Sequence, residues 1–389
     1  MRVVVIGGGI SGLAVSAALA RAGVRAEVYE QAPALGEIGA GIQVSPNGAR
    51  LLHRLGLATA LSAVAVQPSA IEVRRWNDDV PLAVTPLGDA CTGMYGVPYY
   101  TLHRADLHGA LLSLVDRVHL DKRCVAVTPS GDGVTVSFAD GTSVEADVVL
   151  GADGIKSTVR EHLLADRPRF SGHAIFRGLV PASSVGHEDK VLIRMGPGQH
   201  CVSYPISAGR LVSFAASSPA AESHGESWTS RASTAEVLAA YEGWHPSVRA
   251  LLSATDEVSV YLLYDREAVP SWGTGRIMLI GDAAHPMLPF GAQGASQGIE
   301  DALAVAAALA AATPATAPAA LRRYEAVRRA RIRDVHAFIQ ANERNHHVDD
   351  DQATARDEHM ASDFGLRQRE WLFAYDAEAA MREVTRHVA

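Results

Sequence analysis

The first thirty residues constrain the fold most. Arg2–Ile6 is apolar and β-branched, and Gly7-Gly8-Gly9 ends it. Ile10–Ala22 is rich in Ala and Leu, and Gly23 stops it. Arg25–Glu30 returns to strand-like residues. This is a strand–helix–strand unit, which commits the chain to a parallel sheet with a right-handed crossover. Gly7-Gly8-Gly9-Ile10-Ser11-Gly12 is G-x-G-x-x-G, and Glu30 follows 18 residues after Gly12. In this setting the pattern is a dinucleotide fingerprint. Gly7 allows the tight turn, Gly9 lets backbone approach a pyrophosphate at the helix N-terminus, and Gly12 allows close helix–strand packing. Glu30 is placed to accept from an adenosine ribose and to repel a ribose 2′-phosphate, which disfavours NADP in this site.

Composition removes several other classes. Lys and Arg total 35 against 43 Asp and Glu, a net charge of −8. A nucleic-acid partner needs clustered basic surface. Arg74-Arg75 and Arg328-Arg329 are isolated pairs, read as solvated charge. Cys91, Cys124 and Cys201 have no disulfide or metal spacing. No run reaches the roughly 20 apolar residues of a membrane span, and no secretory signal is legible. The expectation is a cytoplasmic protein with no metal and no membrane, monomeric or homodimeric.

The fingerprint does not separate NAD from FAD. Two later segments do. Asp147–Gly151 is a buried strand that runs into Asp153-Gly154, and Ile277–Ile280 runs into Gly281-Asp282. A carboxylate at a strand end can hold the ribityl hydroxyls of a flavin. The amides at Gly294-Ala295 open a helix and point positive charge at the isoalloxazine end.

With these segments in their observed order, the chain resembles the flavin-dependent aromatic hydroxylases, the class A flavoprotein monooxygenases. More narrowly it resembles the salicylate hydroxylase, 3-hydroxybenzoate 6-hydroxylase and 6-hydroxynicotinate 3-monooxygenase branch. Gly39–Asn47, His103–Leu107, Gly281–Ala302 and Glu370–Asp376 carry the closer match. The resemblance implies an α/β fold of the para-hydroxybenzoate hydroxylase kind. A Rossmann-like FAD-binding domain (1–75, 101–172 and 265–345) would hold an inserted mixed β-sheet substrate domain (76–100 and 173–264). A helical C-terminal tail (346–389) would follow.

The same resemblance implies residue roles. Ser11, Glu30 and Gln31 contact the adenosine and pyrophosphate half of FAD, Arg104 binds the pyrophosphate, and the Cys124 backbone borders the adenine. Asp153 serves FAD and the reducing nicotinamide, and Asp282 binds the ribitol. The implied reaction consumes NADH or NADPH and O2. It hydroxylates a phenolic or N-heteroaromatic carboxylate through a flavin C4a-hydroperoxide, and a carboxylate at the attacked carbon would be lost as CO2. The alternatives are a flavin oxidase, an NAD dehydrogenase or a non-catalytic flavoprotein.

At the substrate end, His200, Val202 and Tyr204 share one face of a strand. The resembling enzymes have a His and a Tyr at this spacing in the pocket, with His as a base near neutral pH. Phe290 stands where close relatives often place a His or Gln, and Gln43 where the hydroxynicotinate branch has His, so a less polar pocket or a substrate held differently is expected. His200 and Tyr204 are then its only ionisable pair. Asn345–Asp351, despite its two histidines, reads as a solvated loop.

Overall fold

A computed structural model describes residues 1–36, 40–221, 230–255 and 257–386. Gly39, which heads one of the family-like segments, and the last three residues lie outside the described residues.

Two sheets dominate. The first has six strands in the order Gly273–Thr274, Ile277–Leu279, Val148–Gly151, Arg2–Ile6, Arg25–Tyr29, Val118–His119. All neighbours are parallel except the first pair. Val3, Val4, Val5, Val148, Val149 and Leu150 are fully buried, as expected of strands covered on both faces. The strand order reverses at Arg2–Ile6, with Arg25–Tyr29 on one side and Val148–Gly151 on the other. Such a switch point opens a crevice at the carboxyl ends of the strands. Both glycine-rich segments, Gly7–Gly9 and Gly151–Gly154, emerge there.

The second sheet has eight strands, from Ser230–Ala232 through Val258–Asp265, Arg169–Pro181, Leu211–Pro219, Gln199–Ile206, Val191–Gly196 and Ala70–Arg75 to Pro81–Pro86. It is mixed, because Ala70–Arg75 runs parallel to Val191–Gly196 while the other pairs are antiparallel. Ala70–Arg75 thus pairs in this sheet, although the sequence boundary at 75 groups it with the first. Long-range pairing leaves no mark in the strand's own residues. Arg169–Pro181 likewise crosses the boundary at 172.

Two local readings also shift. The residues read as helix from Leu102 to Leu114, but Leu102 and His103 belong to the strand Tyr100–His103, paired with Gly41–Val44. The helix Arg104–Leu112 starts after it, with His103 Nδ1 accepting from the Ala105 amide at 3.1 Å. Residues 173–264 read as mostly strand with one helix at Ala235–Trp244, yet Pro246–Ser253 is a further helix with Pro at its first position. The chain ends in helices, including the 30-residue Ala317–His346, Asp350–Asp363 and Ala377–Arg386.

Candidate active site

The fingerprint forms a cradle with open space in front of it. Gly7 has φ +110°, and a Cβ there would meet Ala152 O at 2.4 Å. A Cβ on Gly12 would lie 1.9 Å from Gly7 O, so only glycine lets the helix pass this close. Nothing stands within 4 Å of a Cβ at Gly9. The N-terminus of the 12-residue helix Ile10–Arg21 therefore faces free volume, which is what a pyrophosphate needs. Behind it, Glu30 accepts from the Gly8 amide at 2.6 Å and the Ala32 amide at 2.9 Å. A cavity of about 220 Å³ opens here. Gly7, Gly9, Glu30, Gln31, Cys124 and Asp153 all line it.

Asp153 also braces the start of the helix Thr158–Leu163, accepting from the Oγ of its N-cap Ser157 at 2.5 Å and from the Val159 amide at 3.2 Å. Burial raises its carboxyl above the usual value, against those hydrogen bonds. Burial also pushes the Cys124 thiol up to about 11, so it is neutral. Ser11 looks elsewhere. Its hydroxyl fits between Gly281 and Gly298, where Cβ atoms would lie 2.4 and 2.2 Å from its Oγ.

The second acidic segment reaches the same region. Gly281 has φ +57° and turns the chain, leaving Asp282 exposed on its open side. A Cβ on Gly294, the first residue of the 16-residue helix Gly294–Leu309, would lie 3.9 Å from Asp282 Oδ1. Ala295 follows in the same first turn. Although part of the Asp282 side chain reaches solvent, desolvation by the surrounding protein raises its carboxyl, while His285 and Arg104 pull it down. Enclosure lowers the Arg104 guanidinium from its ordinary value, opposed by Asp282.

A buried polar network fixes this segment. Asp301 accepts from the Gly281 amide at 2.7 Å, lies 2.6 Å from His285 Nε2 and accepts from Arg328 Nε at 2.7 Å. Glu300 accepts from Arg328 and, at 2.7 Å, from Asn47 Nδ2. Arg328 is fully buried, not the solvated charge read from Arg328-Arg329. Arg74 is likewise enclosed by Glu72, Asp79 and Glu188. A usable signal was present: Glu300-Asp301 interrupts an otherwise apolar helix, and buried carboxylates need cationic partners.

His200 and Tyr204 are both buried on the strand Gln199–Ile206. Tyr204 lies against Gly41 and near Ser213 and Gln43, and burial raises its phenol. Gln43 Oε1 accepts from the Tyr99 hydroxyl at 2.7 Å. Phe290 is buried, with its ring edge-on to His200 at 5.5 Å and His347 at 5.0 Å. The solvated-loop reading of Asn345–Asp351 is overturned here. His346 is buried and His347 half-buried, and both pack on His200. The long helix Ala317–His346 ends over the second sheet, so its last imidazoles meet a strand some 150 residues earlier. The expectation that His200 and Tyr204 form the only ionisable pair falls with it. His173, His346 and His347 join His200 around Phe290.

Burial lowers all four imidazoles from their usual value, His346 and His347 to about 3. The unfolded chain takes up protons near pH 6.5, and the folded chain does not. This contribution to stability is therefore complete above about pH 6.5 and is lost as pH falls towards 3. The unfolding free energy from urea titration should drop between pH 7 and pH 5, by an amount on the order of 2 kcal/mol for each strongly shifted imidazole. His346→Phe should flatten that slope, and an unchanged slope would show that the cluster does not carry it.

Among the described residues, no helix is long and apolar enough to cross a membrane, and no side-chain cluster could hold a metal ion. A glycine cradle at a switch point, a second acidic strand end and a separate aromatic sheet face define a flavin-nucleotide oxidoreductase of the aromatic hydroxylase class. The chain belongs to the FAD binding domain family, whose model matches residues 1–339. It is 48% identical over 384 residues to 3-amino-4-hydroxybenzoate 2-monooxygenase PtmB3 of Streptomyces platensis, covering 97% of this chain and 96% of that one. It is 37% identical to 6-hydroxynicotinate 3-monooxygenase of Bordetella bronchiseptica, covering 88% and 93%. Among solved structures it matches a salicylate hydroxylase substrate complex with a TM-score of 0.84 and 28% identity, over 98% and 97% of the two chains. The protein is an FAD-dependent aromatic monooxygenase that uses NAD(P)H and O2.

Proposed function

We propose that this enzyme hydroxylates an amino-hydroxybenzoate at the ring carbon beside the amino group. The observation that carries this reading is the 48% identity with 3-amino-4-hydroxybenzoate 2-monooxygenase over almost the whole of both chains. In that substrate the 2-position is ortho to nitrogen and meta to the hydroxyl. The nitrogen lone pair therefore directs an incoming electrophilic oxygen, and the phenol need not ionise. Neutral imidazoles suit a neutral arylamine, since each offers a lone pair to N–H. Phe290 in place of a polar residue fits the same substrate. Bound FAD supplies the electrophilic oxygen after taking electrons from the nicotinamide.

The first sheet and its helices would hold FAD, and the second sheet would cover the substrate. The Gly7–Gly12 turn and Arg104 would bind the pyrophosphate, and Glu30, Gln31 and Cys124 the adenosine. Asp153 would serve the FAD and nicotinamide side, Asp282 the ribitol, and Gly294-Ala295 the flavin ring. His200, Tyr204, Gln43 and Phe290 would face the substrate. The working setting would be the cytoplasm, as a monomer or homodimer.

Arg104→Ala should raise the FAD dissociation constant at least about tenfold, since a charge-assisted phosphate contact contributes roughly 1.5–3 kcal/mol. Fluorescence titration checks this, and an unchanged constant removes Arg104 from the pyrophosphate. The substrate reading is tested with an aromatic acid panel. NADH oxidation and a product 16 mass units heavier should be greatest with 3-amino-4-hydroxybenzoate. Faster turnover of 6-hydroxynicotinate or salicylate would overturn it.

A further inference from the structure

We propose that His347 is a positioning residue that sets the tautomer of His200. The two rings would form a relay carrying one proton away from the substrate end of the site. His200 Nδ1 lies 3.0 Å from His347 Nε2. Two bare nitrogens at this distance repel and two N–H groups collide, so a neutral pair holds one proton between the rings. The neutral state is enforced by burial and by neighbouring cations and imidazoles: His173 and His346 beside the pair, with Arg356 and Arg369 acting on His346.

One shared proton couples the outer nitrogens. If His200 Nδ1–H donates to His347, then His200 Nε2 is a bare acceptor and His347 carries its proton on Nδ1. In the other state the assignments reverse. Ser217 accommodates both. Its Oγ accepts from the His200 amide at 2.9 Å, sits 2.8 Å from His200 Nδ1, and can give its proton to His200 O at 3.2 Å. The rings are held edge-on by Phe290, and His347 stacks on His173 at 4.2 Å. His347 Nδ1 is buried and has no protein partner among the described residues, so the relay exchanges this proton with a water admitted beside it.

The relay rests on the hydroxylase reading only for the origin of its proton. When a ring C–H becomes C–OH, the C–O bond forms and the C–H bond breaks heterolytically. The released proton goes to His200 Nε2, the shared proton passes to His347 Nε2, and the Nδ1 proton of His347 passes to a water admitted beside that buried nitrogen. One proton enters and one departs, with no net charge stored.

The test uses the FAD-loaded full chain labelled with 15N-histidine, in which long-range proton–nitrogen spectra report the protonated nitrogen of each ring. Wild type should show a single His200 tautomer. His347→Gln keeps a hydrogen-bonding group near Nε2 and should preserve that pattern, whereas His347→Phe should mix or invert it. Both variants should lower kcat for the hydroxylated substrate about 10–100-fold, the range seen when a group that orients an imidazole is lost. KM should change little, because neither variant touches the ring. His346→Phe, on a ring 4.6 Å from His200, should leave the His200 tautomer unchanged. A wild-type His200 spectrum in His347→Phe would overturn the proposal whatever the substrate. An altered spectrum with wild-type kcat on a confirmed substrate would overturn the relay. If no aminobenzoate is turned over, the spectra still score the pair, so that failure is separable.

Discussion

Arg328→Met should destabilise the protein by about 3–5 kcal/mol, the usual cost of stripping one partner from a buried ion pair. Arg328 is fully buried and faces two carboxylates, Glu300 and Asp301, whose side chains are also fully buried. Glu300 would keep Arg331 and Asn47, and Asp301 would keep His285 and the Gly281 amide, but both would lose the fully buried guanidinium that they share. The loss should reach the nucleotide site, since Asp301 holds the Gly281 amide and His285. The variant should therefore bind FAD more weakly as well as unfold at lower urea. Adding Asp301→Asn should recover part of the stability, because it removes one carboxylate that has lost its guanidinium and keeps an acceptor for Gly281. Urea unfolding with and without FAD checks both points. A cost below about 1 kcal/mol would mean that the two acids find other partners or take up protons.

His200→Ala should cut the hydroxylation step by about 10²–10⁴-fold, the span of general acid–base contributions, with FAD content intact. Flavin reduction should change much less, because hydride transfer does not pass through this imidazole. The sequence places a limb of the pH profile near neutrality. Burial and three neighbouring imidazoles hold His200 well below its usual value. A base is lost only when it is protonated, so the wild-type rate should be flat from pH 6.5 to 8 and fall on the acid side. Tyr204→Phe should be milder, since that phenol stays neutral and serves as a donor or acceptor. Single-turnover product formation is the measurement. A wild-type rate in His200→Ala, with no added hydrogen peroxide release, would remove His200 from the chemistry.

Both predictions depend on groups that the chain reveals to different degrees. Gly7, Gly9, Glu30, Gln31, Cys124 and Asp153 stand in patterns that the sequence displays, and all line one cavity. They were legible because a strand–glycine–helix turn and a strand-end acid are local patterns, fixed by backbone sterics within a few residues. Asp282 beside Gly294 was legible for the same reason. The period of two that places His200 and Tyr204 together is a property of any strand.

The partners of those residues were not local. Arg328 looked like surface charge because its acids lie a helix away, and only the packing of Gly294–Leu309 against Ala317–His346 buries all three. Ala70–Arg75 reads as a strand but does not say which sheet it joins. His346 and His347 sit among charged neighbours that mark a solvated loop in sequence. What overrode that signal was the length of the preceding helix, which delivers both rings onto Phe290 and His200. The sequence by itself determined the cofactor cradle, because steric rules for turns act between neighbours. Only the tertiary structure decided which imidazoles are buried, neutral and hydrogen-bonded, because desolvation and N···N contact depend on segments far apart in the chain.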